Sequence, residues 1–345
     1  MLTLSRTDGL VTSRTTKALR MGFCPNPRIS ALTSAEVAIE GFDIDWQLAM
    51  PNELHLRYLT CNDLDVFELS LDLLLTTMEP TAPRTPSWRG LPIFLTRTHG
   101  ALDLFVNTAS GIRGLADLRG KRFAVPIYQM SALIWLRAIL RRYFTIGHDE
   151  ITWVIVPPAG PDGAIRWIRE TLDREYVQYR IGEDWTQLLS AGEVDAAFFP
   201  SVPNNIDDVV GIRRLLKPQE RRELWTQLRI DTGAAAINHL VALQADLAAA
   251  QPQLAPALTV AFERAKRISH QRGLVSARSV LLFADEDLER QAAIFGADPF
   301  PTGIEANRAS IETFVEELFA EQLITSRRPL EDYLLAVNVG CDPTD

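Results

Sequence analysis

The chain has 345 residues, 47% hydrophobic and 23% charged, enough for two domains that each bury a core. A net charge of −9 and a pI near 5.2 argue against nucleic acid or an anionic membrane surface as the main partner. No apolar run approaches the length of a membrane span. Cys24, Cys61 and Cys341 show no CxxC spacing, so a reducing compartment is expected, with neither a disulfide framework nor a zinc site. Residues 1–16 read as a loose, polar leader without the apolar stretch of an export signal, which predicts a cytoplasmic protein.

In chain order, Leu19 to Phe23 reads as a first strand, followed by a Pro-containing loop that carries Arg28 and by a short helix toward Ala38. Phe42 to Trp46 alternates as a strand should, Pro51 to Leu59 is helical, and Leu64 to Leu69 is a strand leading through Ser70 into a helix over 71–77. After a flexible loop over 79–89 come strands at 91–95 and 103–107. Asp117 to Arg137 is the most informative stretch. Phe123-Ala124-Val125 is a brief buried strand stopped by Pro126, and the apolar spacing of Leu133, Ile134, Leu136, Ile139 and Leu140 predicts a helix from near Ser131 to Tyr143. The free N–H groups of its first turn point back at the loop 126–129, a place that suits a carboxylate. The ordinary alternative is a plain strand-loop-helix connection.

Further on, strands are expected at 151–156, 192–199 and 234–243, and helices at 184–191 and 218–228. From Ala245 the pattern is helical, with segments at 254–272, 275–283, 286–295, 308–323 and 329–337. Alternating strands and helices predict an α/β protein with parallel-type sheets. Chain crossings near Thr108 and Asp231 divide it into a discontinuous first lobe, 17–107 plus 231–345, and a second lobe, 108–230. A small ligand is expected in the cleft between them, at the strand ends.

Two phrases, Asp117 to Lys121 and Leu188 to Ala197, resemble the two-lobed fold of type II periplasmic binding proteins and speak to fold alone. Narrower pieces resemble the 4,5-dihydroxyphthalate decarboxylase family, an intracellular enzyme branch of that fold. They are Asn26-Pro27-Arg28, Asp65 to Ser70, Pro92 to Arg97, Val125 to Ala132 with Trp135 and Arg137, Thr232-Gly233 with Ile237-Asn238-His239, and Asp298 to Arg308. Together they span roughly residues 18 to 335, in order. The chain departs from the family pattern at Ile127, where the pattern has an acid, at Gly100-Ala101, where it has Arg-His, and at Thr302, where a tyrosine is replaced.

The resemblance implies a cofactor-independent decarboxylase, or related lyase, acting on a small hydroxylated aromatic or similar cyclic carboxylic acid. Direct loss of CO₂ from an aromatic ring would leave an unstabilised carbanion, so a general acid must first protonate the ring carbon. Arg28 and Arg97 suit carboxylate binding through their forked guanidinium groups. His239 is the candidate for proton transfer, with Tyr128 or His99 in its stead. Glu68, Ser70, Gln129, Met130, Ser131, Asp103 and Asn238 are candidates to line the cleft. Each has a bland reading beside it: surface pairing for Arg28, a core histidine for His239, a helix cap for Ser70. His55, His148 and His270 carry no motif, and no metal or dinucleotide fingerprint occurs, so no cofactor is predicted. The competing readings are a non-catalytic small-anion binding protein of the same fold and a different proton transfer in a biosynthetic pathway. Self-association into a homo-oligomer is left open.

Overall fold

A computed structural model describes residues 18–61, 63–79, 88–97, 99–157 and 172–337. The leader at 1–16, most of the loop 79–89 and Cys341 lie outside them. Two sheets organise these residues, as the α/β reading expects. The first contains β1 (Leu19–Phe23), β2 (Ile44–Leu48), β3 (Val66–Ser70), β4 (Trp88–Thr96) and, much later in the chain, β11 (His239–Gln244). Its order is β2-β1-β3-β11-β4, with β1 parallel to both neighbours and β11 antiparallel to β3 and β4. The second contains β5 (Phe105–Asn107), β6 (Arg122–Val125), β7 (Thr152–Ile155), β8 (Val177–Tyr179), β9 (Ala196–Ala197) and β10 (Ile212–Arg214), in the order β10-β5-β9-β6-β7-β8.

Several boundaries differ from the sequence reading. β5, expected in the first unit, pairs antiparallel with β9 and β10 in the second sheet, so the chain changes sheets before Phe105 rather than near Thr108. Three residues are too short for their alternation to tell which sheet they join. The strand expected over 192–199 shrinks to Ala196–Ala197, because Pro200 and Pro203 follow and cannot donate to a ladder. Residues 234–238 run irregularly before β11. The helices expected at 254–272 and 275–283 are one 27-residue helix that passes straight through Gly273, whose missing Cβ would meet nothing.

Helices cover the sheets. The first are α1 (Ser30–Thr33), α2 (Pro51–Thr60) and α3 (Leu71–Thr77), the last two packed on the first sheet. α4 (Ser131–Phe144) buries Leu133, Ile134, Leu136, Ile139 and Leu140, the periodic residues of the sequence, and stops at Thr145 in a left-handed conformation (φ 55°). The others are α5 (Trp185–Ser190), α6 (Pro218–Thr232), α7 (Ala245–Ala250), α8 (Leu254–Val280), α9 (Ala284–Phe295), α10 (Ile304–Ala320) and α11 (Leu330–Tyr333). One apolar cluster runs from Phe67, Trp88 and Leu240 of the first sheet to Phe123, Val125 and Trp153 of the second, through Trp135 on α4. Trp135 is fully buried and its indole N–H donates to the Ile237 carbonyl at 2.9 Å. A buried aromatic of this kind removes roughly 150–250 Å² from water, about 4–6 kcal/mol at ~25 cal/mol per Å². The two sheets thus meet across α4, whose first turn lies at their junction.

Candidate active site at the junction of the sheets

The antiparallel register of β11 sets His239 opposite Ser70 on β3 and opposite Thr96 on β4. Because side chains alternate along a strand, Glu68 shares the face of Ser70. The result is a hydrogen bond between His239 Nδ1 and Glu68 Oε1 at 2.7 Å, joining residues far apart in sequence. The same oxygen accepts from the Thr96 hydroxyl at 3.1 Å, and Oε2 accepts the Cys24 backbone N–H at 3.2 Å. Glu68 is buried. Burial alone would raise its carboxyl, but the hydrogen bond and charge of His239, with the Cys24 and Thr96 donors, hold it below the ordinary value. The Cys24 thiol is pushed up to about 12 by burial and by Glu68, so it remains protonated. His55 on α2 sets its ring edge against His239, centroids 5.2 Å apart at 76°, and its buried Nε2 has no hydrogen-bond partner. Burial and the charge of His239 push His55 down to about 3, which leaves it neutral.

Beside this pair the two arginines meet on one segment. The Arg28 guanidinium lies 4.1 Å from the centre of the Phe300 ring, and Arg97 Nη1 donates to the Pro299 carbonyl at 3.2 Å. Arg97 also donates to the Ala236 carbonyl at 3.4 Å. Burial, with the charges of Arg229 and Arg28 outweighing Asp298, lowers Arg97 to about 10, so it stays cationic at neutral pH. Burial lowers Arg28 too, against the attraction of Glu68. Like charges gathered this way are a standing cost that an anion would relieve.

The first turn of α4 closes the site from the other side. The Ser131 hydroxyl donates to the Asp72 carboxylate of α3 and lies 3.1 Å from the Asn238 carbonyl. Burial pushes the Asp72 carboxyl up, against hydrogen bonds from Ser131 and Ser70. Ser70 occupies the N-cap position of α3, yet its hydroxyl makes no capping bond. Gln129 is buried with its side-chain oxygen unpartnered, and Met130 is the N-cap residue of α4. The structure therefore brings together Arg28, Glu68, Ser70, Arg97, Ser131, Asn238 and His239.

Three candidates go elsewhere. Tyr128 turns into the interior behind the loop, with Arg137 4.0 Å from the centre of its ring and Trp153 packed edge-on. Asp103 is engaged by Arg214 at 2.6 Å and Arg221 at 2.9 Å, because β5 has carried it toward the second sheet. His99 lies next to Arg97, but its ring is packed between Trp225 and Phe295, and burial lowers it to about 4. Cys24, His55, Asp72 and Thr96 belong to the cluster and were not singled out from sequence; nothing local marks them. Among the described residues no group of three or more His, Cys, Asp or Glu could hold a metal ion. No helix among them is long and apolar enough to cross a membrane.

No family model matches the chain. A 4,5-dihydroxyphthalate decarboxylase of Pseudomonas putida is 31% identical over 181 residues, 51% of this chain and 68% of that protein. The chain belongs to the 4,5-dihydroxyphthalate decarboxylase family. A second member, from Comamonas testosteroni, is 29% identical over 309 residues, covering 87% of this chain and 91% of the relative. This is a family of carbon–carbon lyases, as the resemblance of the site segments implied. Among solved structures, the periplasmic aliphatic sulphonate binding protein of Escherichia coli superposes with a TM-score of 0.52 at 14% identity, covering 94% of each chain. At that identity the likeness concerns the fold alone, which is the two-lobed binding-protein fold expected.

Proposed function

We propose that the chain is a decarboxylase of a small hydroxylated aromatic acid, with Arg28 and Arg97 holding carboxylate and the Glu68–His239 pair delivering the proton. The observation that carries this is the 2.7 Å contact between His239 and the buried Glu68 carboxylate, which also accepts from Thr96, the chain neighbour of Arg97, and lies near enough to Arg28 for its charge to act there. Glu68 supplies the countercharge of the imidazolium that a general acid needs, and it fixes which ring nitrogen faces the ligand. The described hydrogen bonds take two of the five N–H donors of Arg97, so forked binding of an anion remains within its reach. The backbone N–H groups at the start of α4 provide further donors.

The step balances without an external oxidant. The other ring nitrogen of His239 gives its proton to the ring carbon that bears the carboxylate, with a hydroxyl ortho or para to that carbon feeding electrons into the ring. The carbon–carboxylate bond then breaks, its electron pair restores the aromatic ring, and CO₂ leaves. His239 recovers its proton from water. The compound for which the relatives are named carries two adjacent carboxylates and two hydroxyls, a fair match to two cations.

The test is incubation with 4,5-dihydroxyphthalate and a panel of hydroxybenzoates, with CO₂ release followed and bound compounds identified by mass spectrometry. Arg97→Ala is expected to lose saturable binding. Saturable binding of an unchanged ligand by wild type, with no CO₂ from any member of the panel, would instead make this a binding protein.

A further inference from the structure

Between α9 and α10 the segment Asp298 to Gly303 has no helix or strand of its own, yet both candidate carboxylate arginines rest on it. Arg28 stacks on the Phe300 ring and Arg97 donates to the Pro299 carbonyl, so the position of this segment sets the gap between the two guanidinium groups. A loop with no ladder to lock its backbone would not keep that gap by itself. Lys266 on α8 supplies the lock. Its ammonium has three donors, and three oxygens take them: Glu263 Oε1 at 2.8 Å, Asp298 Oδ2 at 2.7 Å and the Phe300 carbonyl at 2.9 Å. Glu263 in turn accepts the Thr302 hydroxyl, and Asp298 Oδ1 accepts the Phe300 N–H at 2.8 Å. Asn307, in the first turn of α10, donates to the carbonyls of Pro301 at 2.7 Å and Gly303 at 2.8 Å, and the Gly303 N–H reaches the Pro92 carbonyl of β4 at 2.9 Å.

Lys266 lies close to the arginine it serves. Arg28, Phe262, Glu263, Lys266, Phe300 and Thr302 line one small cavity, with room for about one water molecule. Two cations thus share a cavity with different standing. The ammonium is engaged by two acids with its side chain only 16% exposed, whereas Arg28 Nε is buried with no hydrogen-bond partner. An incoming anion therefore finds its countercharge on the arginines and not on the lysine. Without the ammonium, Glu263 and Asp298 would lose their counter-ion, and the charge of Asp298 already acts on Arg97. We propose that Lys266 is a positioning residue for ligand binding, which pins the segment Asp298 to Gly303 and so fixes Arg28 and Arg97 at the spacing that clasps a carboxylated ligand. This rests on the reading of the two arginines as the carboxylate clasp. A displacement of about 1 Å in such a clasp is enough to cost much of its effect.

Phthalate is the probe, because it carries two carboxylates and no hydroxyl to drive the loss of CO₂. In calorimetric titration of the full chain, Lys266→Met is expected to bind it about 10-fold or more weakly than wild type, and Lys266→Arg to recover most of that affinity. With any acid that is turned over, the loss falls on KM while kcat stays. Amide hydrogen exchange gives a reading that needs no ligand. The Phe300 and Gly303 amides are expected to exchange faster in Lys266→Met, while those of α10 beyond Arg308 keep wild-type protection. A lysine that only stabilises the fold would lower the urea midpoint and leave both the affinity for phthalate and the exchange of the segment unchanged; that result overturns the proposal. Arg97→Ala separates this from a failure of the site itself. If it binds phthalate as wild type does, the arginine clasp falls and the positioning role with it. If it loses binding while Lys266→Met does not, the role of Lys266 alone falls.

Discussion

Two of the buried glutamates, Glu68 and Glu321, each face a basic side chain, and they are built to different ends. Glu68 faces His239, whose side chain keeps 15% of its surface open, and donors reach both of its oxygens. Glu321, just beyond the end of α10, faces Arg137 on α4 at 2.6 Å, with both side chains sealed from water. Glu321 Oε2 and Arg137 Nη2 have no hydrogen-bond partner. The carboxyls respond in opposite senses: the donors around Glu68 outweigh burial, whereas burial pushes Glu321 up and Arg137 only partly pulls it back. Arg137 remains the fixed charge of its pair and also donates to the Tyr128 carbonyl at 3.0 Å, holding the loop before α4 in place. A perturbed carboxyl thus marks a candidate site only where its partner can also touch a ligand.

Substitutions that separate chemistry from stability would break this comparison soonest. His239→Ala is expected to lower kcat by ~10²–10⁴ while ligand binding survives and the urea midpoint hardly moves. If its activity and that of Arg97→Ala both equal wild type, the site is misassigned. Arg137→Ala should act in the reverse sense, costing about 3–5 kcal/mol of unfolding free energy in urea titration by stranding the Glu321 carboxylate. Replacing both partners, Arg137→Met with Glu321→Leu, should recover most of that loss, since the apolar pair leaves no orphaned charge. A double variant as weak as the single one would show that the pair contributes more than its charges.

How much of this was legible in the sequence depends on whether the signal was local. α4 was readable because five apolar residues fall on one helical face, and β6 because Pro126 ends it. Arg28, Arg97 and His239 stood out through short segments shared with a family, not through any periodicity. The Glu68–His239 pair depends on an antiparallel register between strands far apart in the chain, which nothing in either segment specifies. His55 and Asp72 were invisible for the same reason: each is an unremarked helix residue until the fold lays α2 and α3 against the junction. Tyr128 misled because it lies three residues before Ser131, which does join the cluster. Its own ring turns to the other side of the loop, where Arg137 and Trp153 take it up.

The smallest expected effect sharpens the comparison most, because it is a difference of sign. The folded-state value of Glu68 lies below the ordinary 4.5, so the stability it adds is complete above that value and is lost as pH falls through the lowered one. Relative to wild type, Glu68→Gln should cost about 1–3 kcal/mol at neutral pH, a gap that narrows on acidification below about pH 4.5. Glu321 has a folded value above 4.5, so its native form binds a proton more readily than the unfolded chain does. Acidification through the window above 4.5 therefore stabilises wild type relative to Glu321→Gln, which has no proton to take up, so their difference should shift in favour of wild type in the range where the Glu68→Gln gap is still flat. Urea midpoints for both variants across pH 4 to 7 measure this directly. Parallel curves would mean that the two carboxylates sit in equivalent surroundings, and the distinction between a poised site acid and a sealed structural one would fall.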